Sequence, residues 1–397
     1  MKSLLILIIS IILISCSDSS NNRSVAPWIK ISDSVIDNVI SISISKINSN
    51  NICVLTASGI FRSADAGTTW SNIGNDIKQA YLQYKPYQNL QYIIYSILVD
   101  PNDDKVIYAG TKIGLFKSLN AGNSWILING LNYTPSATLS GNLVYKSANT
   151  IYEIVCLAVD PFDSNILYAG TFRQGAYKSV DGGATWEQIN NGLPTPNVSG
   201  VTNLWISSIA VDANNSNTIY IGTRTNLSGL PYGPYSYISG GIYKSNDAGY
   251  SWYPINTGLN NTYIDILSIN ISKYNNTIYS AVASGVMYNI SSSTSALELP
   301  QYNLTSGNIY ILNDNSWQLL NALNNGIVSD IATSNSKMYV ASGGSLFKSS
   351  DSGKNWSLIK IGSSNIIVGR IAIDPNNSDI IYIGTSDGIY KTTTGGT

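Results

Sequence analysis

The chain of 397 residues contains no histidine. Imidazole acid/base work, Ser-His-Asp or Cys-His nucleophile activation and histidine metal sites are therefore excluded. Chemistry falls to carboxylates, tyrosines, lysines and arginines. Three carboxylates are candidates, Glu153, Asp265 and Asp330, because two carboxyl groups around a pocket are enough to protonate a glycosidic oxygen and assist its displacement. Arg370 could clamp an anion or a hydroxyl, though an ion pair between Asp330 and Arg370 is the plainer expectation. Trp205, Tyr95 and Tyr263 could add stacking faces and hydroxyls. Neither a metal nor an organic cofactor is expected.

Composition narrows the partners. Only 11% of residues are charged and the formal net charge is −1, with no basic block to neutralise phosphates, so nucleic acid is not an expected partner. Lys2 precedes an apolar run from Leu4 to Ile14, too short to span a bilayer but suited to a signal peptide. Leu13-Ile14-Ser15-Cys16 resembles a bacterial lipobox. That resemblance implies a signal peptide at 1–15, lipidation of Cys16, a polar tether at 16–25 and an anchor in the cell envelope, with the outer membrane favoured. Cys53 and Cys156 fall in apolar strand patterns and are expected to be buried free thiols.

The elements that must position these groups come from a repeat. Ser63-Ala64-Asp65-Ala66-Gly67-Thr68-Thr69-Trp70 returns around Asn120 and Trp125, Asp181 and Trp186, Asp247 and Trp252, and Asp351 and Trp356, with a shortened copy at Asp314 and Trp317. This pattern resembles the Asp-box, or BNR, repeat of sialidase-like propellers. An Asp or Asn bonding its own backbone two residues on, a glycine with positive φ and a tryptophan beneath the turn would make each copy an anchored hairpin.

Four short β-rich runs surround each copy, which reads as one four-stranded antiparallel blade with strands A to D. Strand A is placed at Val39–Ser45, Ile94–Asp100, Ile154–Asp160, Ile206–Asp212, Ile264–Asn270, Val328–Ser334 and Val368–Asp374. The expected fold is all-β, a seven-bladed β-propeller over 26–397. The last blade lacks its outer strand at the C-terminus, and Trp28-Ile29-Lys30-Ile31 is expected to supply it and close the ring. Strand A lines the channel, so levels can be counted back from its end. Four back gives Ser41, Ser96, Cys156, Ser208, Ile266, Asp330 and Arg370; five back gives Tyr95 and Asp265; seven back gives Glu153, Trp205 and Tyr263.

The long insertions, 74–92, 129–150, 190–204, 224–239 and 284–306, are all expected on the face opposite the repeated turns, where loop variation carries function. Tyrosines crowd two of them: Tyr81, Tyr84, Tyr87 and Tyr92 in the first, and Tyr232, Tyr235 and Tyr237 in the fourth. Propellers of this resemblance include sialidases, xyloglucan-type hydrolases, sortilin-like receptors and photosystem assembly factors, so the fold alone does not assign an activity. Sialidases need an arginine triad, but this chain offers Arg23, Arg62, Arg173, Arg224 and Arg370 with no Arg-Ile-Pro motif. Xyloglucan-type enzymes pair two propellers across a cleft, and one ring cannot form that cleft within itself. The leading expectation is a membrane-anchored, non-enzymatic monomer that binds protein or glycan through the tyrosine-rich face, with Tyr84, Tyr87 and Tyr235 as contacts. The alternative is a glycoside hydrolase working through carboxylates at the channel mouth.

Overall fold

A computed structural model describes residues 28–32, 36–84, 92–130, 153–194, 197–198, 201–202, 204–228, 236–259, 264–272, 277–287, 302–320, 326–334, 337–362 and 366–396. Cys16, the tether, Tyr87, Tyr235 and Tyr263 lie outside them, as does the side chain of Tyr84.

Seven four-stranded antiparallel sheets follow one another along the chain. The ring is a seven-bladed β-propeller. Blade 1 shows the plan, with strand A at Val39–Ile44, B at Ile52–Thr56, C at Gly59–Ser63 and D at Ser71–Asn72. Strand B is buried along its whole length in this blade, as expected of a run packed on both faces. In blade 7, Ile29–Lys30 pairs antiparallel with Gly388–Thr392 and becomes strand D of the last sheet. The N-terminal strand thus closes the ring.

The repeated turn is built differently from its expected form. Asp65 does not bond the amide two residues on. Its Oδ1 accepts the amide of Thr69, four on, at 2.8 Å and the Ser63 hydroxyl at 2.7 Å, while Ser63 Oγ accepts the amide of Gly67 at 2.8 Å. The same three bonds recur at Asn120, Asp181, Asp247 and Asp351. The residue before the glycine is also left-handed, with φ of 58° at Ala66 and Ala121 and 57° at Ala248. Asp314 makes another structure. With Asn315 it forms a two-residue turn, φ 46° and 65°, between paired Asn313 and Ser316, the type I′ geometry of tight hairpins.

The tryptophans reach beyond their own turns. The indole nitrogens of Trp70, Trp125, Trp252 and Trp317 donate to the carbonyls of Ile31, Ile73, Ile189 and Ile255, at 2.9, 2.5, 2.7 and 2.6 Å. Each acceptor belongs to the outer strand region of the preceding blade. Lysines of strand C tie in the other direction: Lys117, Lys178, Lys348 and Lys391 donate to Gly182, Ala248, Gly395 and Ala66 in the turn of the following blade. Trp70 and Lys391 therefore both fasten the closing seam.

Trp252→Phe removes one such bond and strands a carbonyl, which should cost about 1–3 kcal/mol. Trp356 is the control, because its buried indole N–H has no partner among the described residues. We expect denaturant titration to show Trp252→Phe clearly less stable than Trp356→Phe, and equal losses would contradict the tie.

Candidate functional site

Every strand A except that of blade 5 begins with one paired residue and then a bulge, as between Val39 and Ser41 or Ile154 and Cys156. In blade 5 pairing starts earlier and the bulge lies between Ile266 and Ser268. Aligning the bulges corrects the counted levels. Ser268, not Ile266, stands with Asp330 and Arg370. Glu153, Trp205 and Asp265, expected at two different levels, all immediately precede the bulge-leading residues Ile154, Ile206 and Ile266. They occupy one rim position on three consecutive blades, at the mouth opposite the repeated turns.

Hydrogen bonds fix this rim. The Glu153 amide donates to the Lys112 carbonyl at 3.1 Å, and Glu153 O accepts the amide of Phe172 at 3.0 Å; Trp205 O accepts the amide of Arg224 at 3.2 Å. Leu204, beside Trp205, donates to the Arg173 carbonyl and accepts from Gly175, both at 3.0 Å. Glu153 has φ 53°, a left-handed conformation that long side chains avoid. Blade 1 places Asn38 at the same position with φ 41°, and asparagine tolerates it. Strain of this kind at a non-glycine residue is concentrated at functional sites.

The aromatic and arginine side chains around Trp205 converge. Phe172 and Trp205 meet edge to face at 4.5 Å between centroids, the Arg224 guanidinium lies 4.3 Å from the Trp205 centroid, and that of Arg173 lies 5.1 Å from Phe172. Asp265 is buried, with Oδ1 accepting the amide of Thr225 at 2.8 Å, and Thr225 Oγ1 donates to the Ile264 carbonyl at 2.9 Å. Burial raises the Asp265 pKa above the ordinary carboxylate range, with the Thr225 amide and the Arg224 charge opposing. Tyr95 is pushed up to about 12, by burial first and by the negative charge of Glu153 second.

Asp330 and Arg370 sit deeper, on the wall of the channel, and the expected ion pair does not form. Both Asp330 oxygens accept backbone amides, Ile331 on Oδ1 and Ile371 on Oδ2, each at 2.9 Å. Ser208, at the same level in blade 4, makes the corresponding bond to the amide of Ile269 at 3.1 Å. Asp330 thus takes the place of a serine that ties neighbouring strands. Burial raises its pKa although the Arg370 charge opposes. Arg370 points to carbonyls instead, of Ile40, Ser329 and Gly369. Cys53 and Cys156 are free thiols, pushed up to about 12 by burial.

The tyrosine face is corrected in part. Residues Asn75–Tyr84 of the first insertion form a helix. Within it Tyr81 is buried, its hydroxyl donating to the Ile93 carbonyl at 2.7 Å and its ring meeting Tyr92 edge to face at 5.1 Å. These two rings pack the helix onto the blade and present no ligand face. Phe172, Arg173 and Arg224 were not singled out as site residues, although the signal was present. They follow the Gly-Thr pairs 170–171 and 222–223 that end strand B, and so stand beside the rim position of strand A.

No protein-family model matches the chain. A xyloglucanase from Paenibacillus sp. is 30% identical over 211 residues, covering 49% of this chain and 18% of that protein. The chain spans less than a fifth of the length of such curated relatives. Among solved structures, the xyloglucanase from Xanthomonas campestris superposes with TM-score 0.63 at 17% identity, covering 93% of this chain and 54% of that one. YCF48 from Cyanidioschyzon merolae does so with TM-score 0.54 at 15% identity, covering 92% and 98%. At these identities the structures show the fold. The sequence relatives overturn the expectation of a non-enzymatic recognition propeller, since those matched are glycoside hydrolases. Its physical basis also weakened once Tyr81 and Tyr92 proved to be packing residues.

Asp265→Asn keeps an oxygen for the Thr225 amide and removes the burial cost of the charge. A carboxyl with a raised folded pKa favours folding most below its unfolded value, about 3.9, and loses that advantage as pH rises through the folded pKa. The variant should therefore melt at or above the wild-type temperature at pH 7, with the gap closing towards pH 4. A lower melting temperature at pH 7 than at pH 4, relative to wild type, would reverse the sign.

Proposed function

We propose that this protein is a glycoside hydrolase acting on a β-glucan-type polysaccharide of the xyloglucan class, with the rim of blades 3 to 5 as its active site. One observation carries the reading: Glu153, Trp205 and Asp265 share a single rim position on consecutive blades, in a chain whose curated relatives are xyloglucanases. Trp205, steadied by Phe172, supplies an apolar surface for a sugar ring, and Arg173 and Arg224 supply donors for its hydroxyls. Asp265, held protonated more readily by burial, suits the general acid, while half-buried Glu153 suits the second carboxylate. Both carboxyls then come from this one ring. Asp330 serves the scaffold in this reading.

The lipobox resemblance supports placing the enzyme on a bacterial envelope membrane through lipidated Cys16, with 16–25 as the tether and the propeller in water. Such an anchor suits an enzyme whose polymer is too large to enter the cell.

Purified protein incubated with xyloglucan should release reducing ends. Asp265→Asn should lower kcat by about 100-fold or more, the usual size of an acid/base contribution. Trp205→Ala should raise KM by about 2–10-fold, the equivalent of an aromatic contact of roughly 0.5–1.5 kcal/mol, and Asp330→Asn should leave KM unchanged. No turnover of any β-glucan, or full turnover by Asp265→Asn and Glu153→Gln alike, would overturn the reading.

A further inference from the structure

Away from the rim, the channel holds a cavity. It has a volume of about 760 Å³, extends from Arg370 to the A–B turn at Asn376 and is lined by the innermost strands of blades 1, 4, 5, 6 and 7. That volume lies within the roughly 300–1,000 Å³ usual for small-molecule sites.

Between Arg370 and Asn270, two residues beyond the level of Arg370, the side-chain acceptors of Asp330 and Asn270 are engaged while donors are open. Both oxygens of Asp330 hold backbone amides. Arg370 donates from Nε to the Ile40 carbonyl and from Nη1 to Ser329 at 3.2 Å and Gly369 at 2.9 Å. Those bonds fix the guanidinium and leave Nη2 without a protein acceptor among the described residues. Asn270 accepts the Thr333 hydroxyl on Oδ1 at 2.8 Å, and its Nδ2 has no acceptor among the described residues. The Ser41 hydroxyl, on the same lining, likewise has no partner among them. At the far end Asp374 holds the turn, its Oδ1 accepting Ser49 Oγ and the amides of Asn376 and Asn377, and Lys46 lines the same end.

We propose that this cavity binds a small organic carboxylate. The pinned Arg370 lines the cavity and supplies a permanent positive charge, and charge-assisted bonds to a carboxylate are about twice as strong as neutral ones. Asn270 and Ser41 supply neutral donors around it. Ile42, Val211, Ile271 and Ile373, partly exposed apolar residues of the lining, offer apolar surface that a bare inorganic anion would leave unused, so the ligand has a carbon skeleton. The site stands on Arg370 and Asn270 and does not depend on the rim or on hydrolysis.

The test is calorimetric titration of the purified protein with sodium glucuronate, with glucose as the uncharged comparison. Saturable glucuronate binding is expected, at least about tenfold tighter than glucose, unchanged in Trp205→Ala and weakened at least about tenfold in Arg370→Gln. Asn270→Asp provides an independent arm, since it keeps the acceptor for Thr333 and replaces the open donor by a negative charge; it too should weaken binding at least about tenfold. Failure of wild-type protein to bind glucuronate, wild-type affinity in Asn270→Asp, or loss of binding in Trp205→Ala would each overturn the proposal. Because hydrolysis is not the readout, an inactive enzyme that still binds glucuronate leaves this site standing.

Discussion

An indole N–H donated to the outer-strand carbonyl of the preceding blade is the bond on which this ring most depends, because a propeller has no central core. Each blade buries its two faces against its neighbours, so stability resides in the seams, and a seam of flat sheets can slide unless something directional pins it. Trp70, Trp125, Trp252 and Trp317 do this at the seams they enter. Lysines of strand C pin others by reaching the next turn, and several lie over a strand-B tyrosine, as Lys117 lies 5.2 Å from the centroid of Tyr108. Blade 5 shows that the tie matters more than the turn: its turn is the two-residue kind, yet Trp317 still reaches the Ile255 carbonyl.

Pinned seams keep the strand-A bulges in step, and this gives the chain addresses at which chemistry can be placed without disturbing packing. One address, just before the bulge, holds Asn38 in blade 1 and Glu153, Trp205 and Asp265 in blades 3 to 5. A second, just after it, holds Ser41, Ser208, Ser268, Asp330 and Arg370. Residues at the first stand at the rim, and of those at the second Ser41, Ser268, Asp330 and Arg370 line the channel cavity. The two proposed sites follow this division. Strained Glu153 and buried Asp265 are each locally costly, and the rigid seams on either side are what can hold them.

Much of this was legible in the sequence. Seven strand-A positions, the tryptophan in each blade and the closure by Ile29–Lys30 followed from period, turn chemistry and the rule that a propeller leaves no open edge. The levels along strand A were not fully legible, because a bulge adds a residue without a sequence mark. For that reason Ile266 was set where Ser268 stands, and Asp265 was separated from Glu153 and Trp205. The Asp330–Arg370 pair misled for a different reason. Matching positions predicted proximity correctly, but backbone amides and carbonyls competed for both charges and prevailed. Tyrosine content was likewise a poor guide to function: Tyr81 has a full set of core contacts, and composition cannot distinguish a packing ring from a binding one.

The rim of blades 3 to 5 is proposed to hold the sugar. A crystal structure of the Asp265→Asn protein with a xyloglucan oligosaccharide tests it most directly. A pyranose ring is expected against Trp205, with a glycosidic oxygen within hydrogen-bond reach of residue 265. Oligosaccharide bound at the repeated turns or along the outer strands, with the rim empty, would contradict it.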